Sequence, residues 1–404
     1  MKRFLAVVSI FTTFVGAAAH VQDVRAESGE NIEPQVISEE AKDLYLRGVQ
    51  HFTGEEVPQD LTKAAQLFEK AAALNHTDAM LLLGYMYSTP QLLPKDDAKA
   101  TAWFAKAAAL GDRDGQYALG RAYKFGAGVP QDEADALVWF KKAAEQGHRQ
   151  AQVILGAAFM LGEGVAKDPV AAFDWFKKAA EQGHAGAQQT VGTLYESGSG
   201  VTQDISTAIA WYTKAAEQDD TPAQVSLASV YYRGEGVARD YVKAFDLYEK
   251  AAIKGHPLAQ RMTGTLLLQG VGVTKDVTNA IRWTTLAANQ GEAVAQGLLG
   301  AMYHDGREIP RDPNLAITWF TRAAESGEAT SQKNLAILYA AGDSVPLDYV
   351  IAYKWANLAA AKGERDAASH RDSLETKMTR EQIAEAQKLS REFTPRVWKQ
   401  AQPQ

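Results

Sequence analysis

Apolar residues fall along this chain at three- and four-residue steps, the spacing of one helical face. In residues 147–182 one such face carries Ala151, Leu155, Gly156 and Phe159, and a second carries Ala172, Trp175 and Ala179. Asp168 stands where the second helix should begin, and a carboxylate there accepts orphan backbone N–H groups. Pro169 suits the first helical position, where its missing donor costs nothing. Gly183 suits a left-handed helix end. The predicted element is therefore two helices joined by a tight turn containing Gly162, Gly164 and Val165.

The same pattern returns every 36 residues. Asp60, Asp96, Asp132, Asp168, Asp204, Asp240, Asp276, Asp312 and Asp348 mark nine units. Four residues after each marker stands Ala, and an Ala pair follows at eleven and twelve, from Ala71-Ala72 to Ala359-Ala360. Seven residues after the marker stand Trp103, Trp139, Trp175, Trp211, Trp283, Trp319 and Trp355, with Leu67 and Leu247 in the other two units. Asn75 and Asp219 replace the terminal Gly in two units, and both tolerate the left-handed conformation. One helix pair cannot bury its apolar face alone, so the pairs must stack into an all-α solenoid. The Trp column is expected in the packed core, where truncation of Trp175 to Ala would cost roughly 3–5 kcal/mol.

The unit A-x-x-x-L-G-x-x-Y…G-x-G-V-x-x-D…A-x-x-W-x-x-x-A-A-x-x-G resembles the Sel1-like repeat, a relative of the tetratricopeptide repeat. That resemblance implies an α/α superhelix used as an interaction scaffold, commonly bacterial and exported. It covers residues 41–366 as nine repeats. The stretch Met378–Gln387 is similar to the tail that closes other exported proteins of this kind.

The ends read differently. Residues 1–26 have the form of a secretory signal peptide: Lys2 and Arg3, an apolar run from Phe4 to Gly16, and cleavage after Ala19 or after Ala26. Residues 27–40 form a flexible acidic lead-in. In residues 367–393 the pattern breaks into capping helices, with a capping box at Thr379 and Gln382 and an apolar stripe of Ile383, Ala386, Leu389 and Phe393. Residues 394–404 are expected to be a loose tail.

Composition narrows the function. The net charge is −7, and removing Lys2, Arg3, Asp23 and Arg25 with the signal segment takes it to −9. Non-specific nucleic-acid binding needs basic surface, so nucleic acid is not an expected partner. There is no Cys, which excludes disulfides and thiolate chemistry. No segment after the signal region is apolar enough to span a membrane of roughly 20 residues. His76, His148, His184 and His256 share one column. Packed helices lie about 10 Å apart and metal ligands about 2 Å from their ion, so the column is not expected to bind metal. The Gly-rich loops lack the G-K-[ST] ending of a phosphate loop. No catalytic, cofactor or metal residue is assigned.

One set of columns varies between units. Positions fifteen, eleven and eight before the marker form a helical stripe, and in related solenoids that helix faces inward. Its candidate partner-binding residues are Tyr85, Tyr117, Arg121, Lys124, Met160, Tyr232, Arg261, His304 and Lys333. Tyr and Arg are enriched at binding hot spots. The expectation is a monomeric, non-enzymatic protein-interaction scaffold or regulator in the bacterial cell envelope, periplasmic or alternatively secreted. The other readings are a cell-wall-related or β-lactamase-like enzyme, and a secreted effector that binds host proteins.

Overall fold

The computed structural model describes residues 37–398. Among them are twenty α-helices. The first helices of the repeats are α1 (Glu39–Thr53), α3 (Thr77–Ser88), α5 (Arg113–Phe125), α7 (Arg149–Leu161), α9 (Ala185–Ser197), α11 (Thr221–Arg233), α13 (Pro257–Gln269), α15 (Ala293–Asp305) and α17 (Ala329–Ala341). The second helices are α2 (Leu61–Ala73), α4 (Asp97–Ala109), α6 (Glu133–Glu145), α8 (Pro169–Glu181), α10 (Ile205–Glu217), α12 (Tyr241–Ile253), α14 (Val277–Asn289), α16 (Pro313–Glu325) and α18 (Tyr349–Ala361). Two further helices, α19 (Ala367–Glu375) and α20 (Arg380–Arg391), close the array. The proposed signal segment and most of the acidic lead-in lie outside the described residues.

The chain divides into two compact units. One runs through Ala187 and adds Ser199–Thr202; the other takes Gln188–Gly198 and the chain from Gln203. Within each, paired helices pack antiparallel and successive pairs stack, so the fold is an all-α solenoid. First helices of neighbouring repeats also touch directly, α3 against α5 in the first unit and α15 against α17 in the second.

Local chemistry starts each helix. All nine marker aspartates are N-caps, accepting backbone N–H groups at 2.9–3.1 Å. Those bonds hold the Asp96, Asp240 and Asp276 carboxyls below the usual carboxylate range. Asn75 and Asp219 adopt the left-handed turn with φ of 62° and 67°. Thr379 and Gln382 form the expected capping box.

The core differs from the sequence expectation over most of one column: Trp283 and Trp355 are buried as expected, but the other five are not. Trp103, Trp139, Trp175, Trp211 and Trp319 are half-buried. A cation three residues on lies 3.8–4.8 Å from the centroid of each ring. The fully packed ring is the next residue, as at Phe68, Phe140 and Tyr212. It lies flat on a glycine of the paired first helix: a Cβ added at Gly120 would come within 2.8 Å of Phe140, and one at Gly156 within 2.9 Å of Phe176. The glycine is a seat for a ring.

A second layer of bonds ties the ends of four of the pairs. Gln116, Gln152, Gln188 and Gln260 are buried in first helices. Each accepts from a glutamine thirty residues on, at the end of the paired second helix: Gln146, Gln182, Gln218 and Gln290, at 2.7–2.9 Å. Gln296 would need Ser326, which is too short. The bond to Gln296 Oε1 is not replaced, but its amide N–H donates to the Trp398 carbonyl at 3.0 Å. The tail therefore departs from the loose segment expected from residue 394. Through Trp398 it is tied to the end of α16, with Arg396 N–H donating to the Glu325 carbonyl and Ser326 Oγ donating to the Arg396 carbonyl, both at 2.8 Å. Residues 399–404 lie outside the described residues.

Candidate recognition surface

The stripe columns sit on the first helices, and their first column has a structural partner. It faces the residue 31 positions on, which caps or precedes the next first helix. Tyr45 stacks on His76 with centroids 4.4 Å apart, and Tyr117 on His148 at 4.1 Å. Arg261 Nε donates to Glu292 at 3.1 Å, and Lys333 donates to Glu364. Ring thus meets imidazole, and cation meets carboxylate. Tyr117, Arg261 and Lys333 join neighbouring repeats and are less available to a partner than their variability suggests.

Two members of the histidine column, His76 and His148, are the imidazoles in those ring contacts. His148 and His184 are N-caps whose Nδ1 atoms accept backbone N–H groups at 3.1 Å. Among the described residues no group of three or more His, Cys, Asp or Glu is placed to hold a metal ion. Burial, the largest cause, lowers both His76 and His148 to about 4. Nearby cations act in the same direction, Lys42 on His76 and Arg113 on His148.

That gives a pH prediction. The unfolded chain binds protons on these histidines below about 6.5, whereas the folded chain does not until about 4. The contribution is therefore complete above pH 6.5 and is lost as pH falls through the window from 6.5 to 4. By pH 5.5, with most carboxylates still ionised, each histidine should cost about 1 kcal/mol. Hydrogen exchange at pH 7.5 and 5.5 should show α1, α3, α5 and α7 losing protection first. Equal protection at both values would refute it.

In the first unit the stripe forms a cluster. Tyr85 lies edge-on to Phe104 at 5.2 Å, and burial pushes its phenol up, with Asp114 acting the same way and Arg121 opposing. The Arg121 guanidinium lies 6.0 Å from the Tyr117 ring centroid. Arg121 is exposed, and Lys124 and Met160 are half-buried. Beside them stand Phe125, 66% exposed, and Leu161, 63% exposed. They lie one position beyond the stripe, outside the candidate residues named from the sequence. The signal was present: their column otherwise holds Thr53, Thr89, Ser197, Arg233, Gln269, Asp305 and Ala341.

In the second unit the candidates pair locally rather than with one another. Tyr232 meets Tyr241 edge-on at 5.5 Å. His304 Nδ1 lies 3.2 Å from Asp305 and its ring 6.3 Å from Phe320. Among the described residues no helix is long and apolar enough to cross a membrane.

Comparison with known proteins agrees with this geometry. The Sel1 repeat model matches residues 42–76, 77–112, 113–148, 149–184, 185–220, 221–256, 257–292, 293–328 and 329–364. The crystal structure of c5321, described as a protective antigen present in uropathogenic Escherichia coli strains and displaying an SLR fold, is similar. It has 30% identity and a TM-score of 0.66, over 92% of this chain and 93% of that one. A Sel1 repeat protein from Oxalobacter formigenes is 32% identical with a TM-score of 0.60, over 76% of this chain and 89% of that one. No curated protein matches.

Proposed function

The chain belongs to the Sel1 repeat family, and from that premise we propose that it is a monomeric, non-enzymatic adaptor or regulator of the bacterial cell envelope. Proteins of this family are generally protein-interaction scaffolds. The repeat columns are engaged in capping, ring seating and inter-repeat pairing, which leaves the variable surface for recognition. The observation that carries the reading is the exposed pair Phe125 and Leu161, one repeat apart, beside Arg121, Lys124 and Met160. Apolar contacts flanked by cations suit a partner segment that is both apolar and acidic.

The envelope location is supported by the basic start, apolar run and small-residue cleavage sites of residues 1–26. The description of c5321 as a protective antigen is in keeping with an exported protein. Fractionation should place the mature chain in the periplasm, beginning at His20 or Glu27. Recovery from the culture medium would favour the secreted reading.

The binding surface is tested with the mature protein as bait and its captured partner as ligand. Arg121→Ala with Lys124→Ala should weaken binding about tenfold, and Phe125→Ser with Leu161→Ser by a similar factor. The thermal midpoint should not change, because these side chains are largely outside the core. Unaltered affinity in both variants would remove the site from this surface.

A further inference from the structure

Between the second helices α12 and α14 runs a groove of about 650 Å³, lined in part by Ile253, Gln260, Arg282, Trp283 and Leu286. Its counterpart 72 residues on lies between α16 and α18, with Glu325, Gln332, Lys354, Trp355 and Leu358 in the same places. That counterpart is occupied by the chain's own tail. Phe393 meets Trp355 edge-on at 5.6 Å, and Lys354 Nζ lies 5.5 Å from the Phe393 centroid. Three residues later Arg396 bonds to the carboxylate and carbonyl of Glu325, each at 2.8 Å.

The two grooves share a departure from the rest of the array. At Trp103, Trp139, Trp175, Trp211 and Trp319 the cation three residues on covers the ring. At Trp283 and Trp355 that residue is leucine, Leu286 or Leu358. The cation has moved to the residue before the tryptophan, Arg282 or Lys354. An aliphatic rim thus replaces a cationic cover in both, and the second carries a seated aromatic ring. In the α12–α14 groove the rim is uncovered, with Leu286 40% and Ile253 70% exposed. Ile253 is itself unusual. The same column elsewhere holds Ala73, Ala109, Glu145, Glu181, Glu217, Asn289, Glu325 and Ala361.

We propose that the α12–α14 groove binds an extended segment of another protein in which an aromatic residue is followed three positions later by an aliphatic one. The aromatic ring takes the place that Phe393 holds, against Trp283 and Leu286 with Arg282 beside it. The aliphatic residue takes the place of Arg396, because the acidic Glu325 it meets is replaced here by Ile253. The chain's own tail is not the occupant. Tethered to α20, it experiences an effective concentration of the order of millimolar at its own groove and is held there. This site uses different residues from the Arg121 and Phe125 surface, so either can fail without the other.

The test uses the full mature chain and two labelled peptides read by fluorescence anisotropy. One peptide has the sequence of residues 391–398; the other carries Arg396→Leu. The Arg396→Leu peptide should bind saturably and at least fivefold more tightly than the unaltered one. Leu286→Glu and Ile253→Asp in the protein should each weaken it at least tenfold, with an unchanged thermal melt because both side chains are on the surface. Absence of saturable binding, or affinity unmoved by both substitutions, would overturn the proposal. A concentration-dependent dimer in sedimentation that Ile253→Asp abolishes would assign the groove to a second copy and overturn the choice of partner.

Discussion

Phe140→Ala is expected to destabilise the array by roughly 3–5 kcal/mol, the range for truncating a fully buried aromatic side chain. Phe140 is 1% exposed and packs with Ala136, Ala143, Ala144, Ala151 and Leu155. Its ring rests on the backbone at Gly120 and lies 5.8 Å from the Tyr117 ring. Truncation removes the knob and leaves a glycine seat that no neighbouring side chain fills. Trp175→Ala should cost clearly less, because Trp175 is half-buried and has Lys178 Nζ 4.1 Å from its ring centroid. Stacked repeats need not unfold in one step. Denaturant titration should therefore be paired with hydrogen exchange, which should locate the loss in α5 to α7. A cost below about 1 kcal/mol, as at surface positions, would refute the assignment of this column to the core.

Gly128→Ala should have a comparable effect by another route. Gly128 has φ of +73°, where a β-carbon is strained, and a Cβ there would overlap the Asp97 carbonyl oxygen at the start of α4. The obstacle is backbone, so no rotamer change relieves it. Beside it the Thr101 hydroxyl donates to the Ala127 carbonyl at 2.7 Å, so the turn and the preceding helix are already locked. Backbone strain of about 1–2 kcal/mol and overpacking of about 1–3 kcal/mol give a loss of roughly 2–5 kcal/mol. Gly147→Ala is the control. Gly147 has φ of +82° but nothing within 4 Å of its added Cβ, so only about 1–2 kcal/mol of backbone strain applies. Equal midpoint shifts in the two variants would show that the approach to Asp97 contributes nothing.

The glycine turns illustrate how far residues alone could be read. Their recurrence marked a turn in most units, and the left-handed geometry followed from residue type. That the second glycine presses on the preceding repeat did not follow. Its neighbour Asp97 is 31 residues away in sequence, and the pattern of one unit contains no record of that distance. The histidine column shows the same limit. Its spacing argued against a shared metal, but its role as a cap under a tyrosine ring appears only when Tyr117 and His148 are brought together.

The candidate surface was legible in part. Helical spacing identified Arg121, Lys124 and Met160 as variable positions on one helix face, and the structure leaves Arg121 exposed. The same spacing offered Arg261 and Lys333 as equals, although carboxylates 31 residues on pair with both. Helical spacing does not single out Phe125 and Leu161, because an apolar residue ending a helix reads equally well as core or surface. Solvent exposure, which separates the two, is a property of the neighbouring layer.

By itself the sequence determined the period, the helix boundaries, the nine aspartate caps, the left-handed turns at Asn75 and Asp219, and the all-α solenoid. Each rests on backbone groups within one turn of the residue concerned, or on simple recurrence, so residue type and spacing suffice. The tertiary structure decided which aromatic column is buried, which glycine is a seat and which a turn, and which variable side chains are paired. It also decided that residues 394–398 fold back to Glu325 and Gln296. Those outcomes depend on atoms that meet across roughly 20, 30 or 70 to 100 residues of chain, and such meetings exist only once the helices have packed.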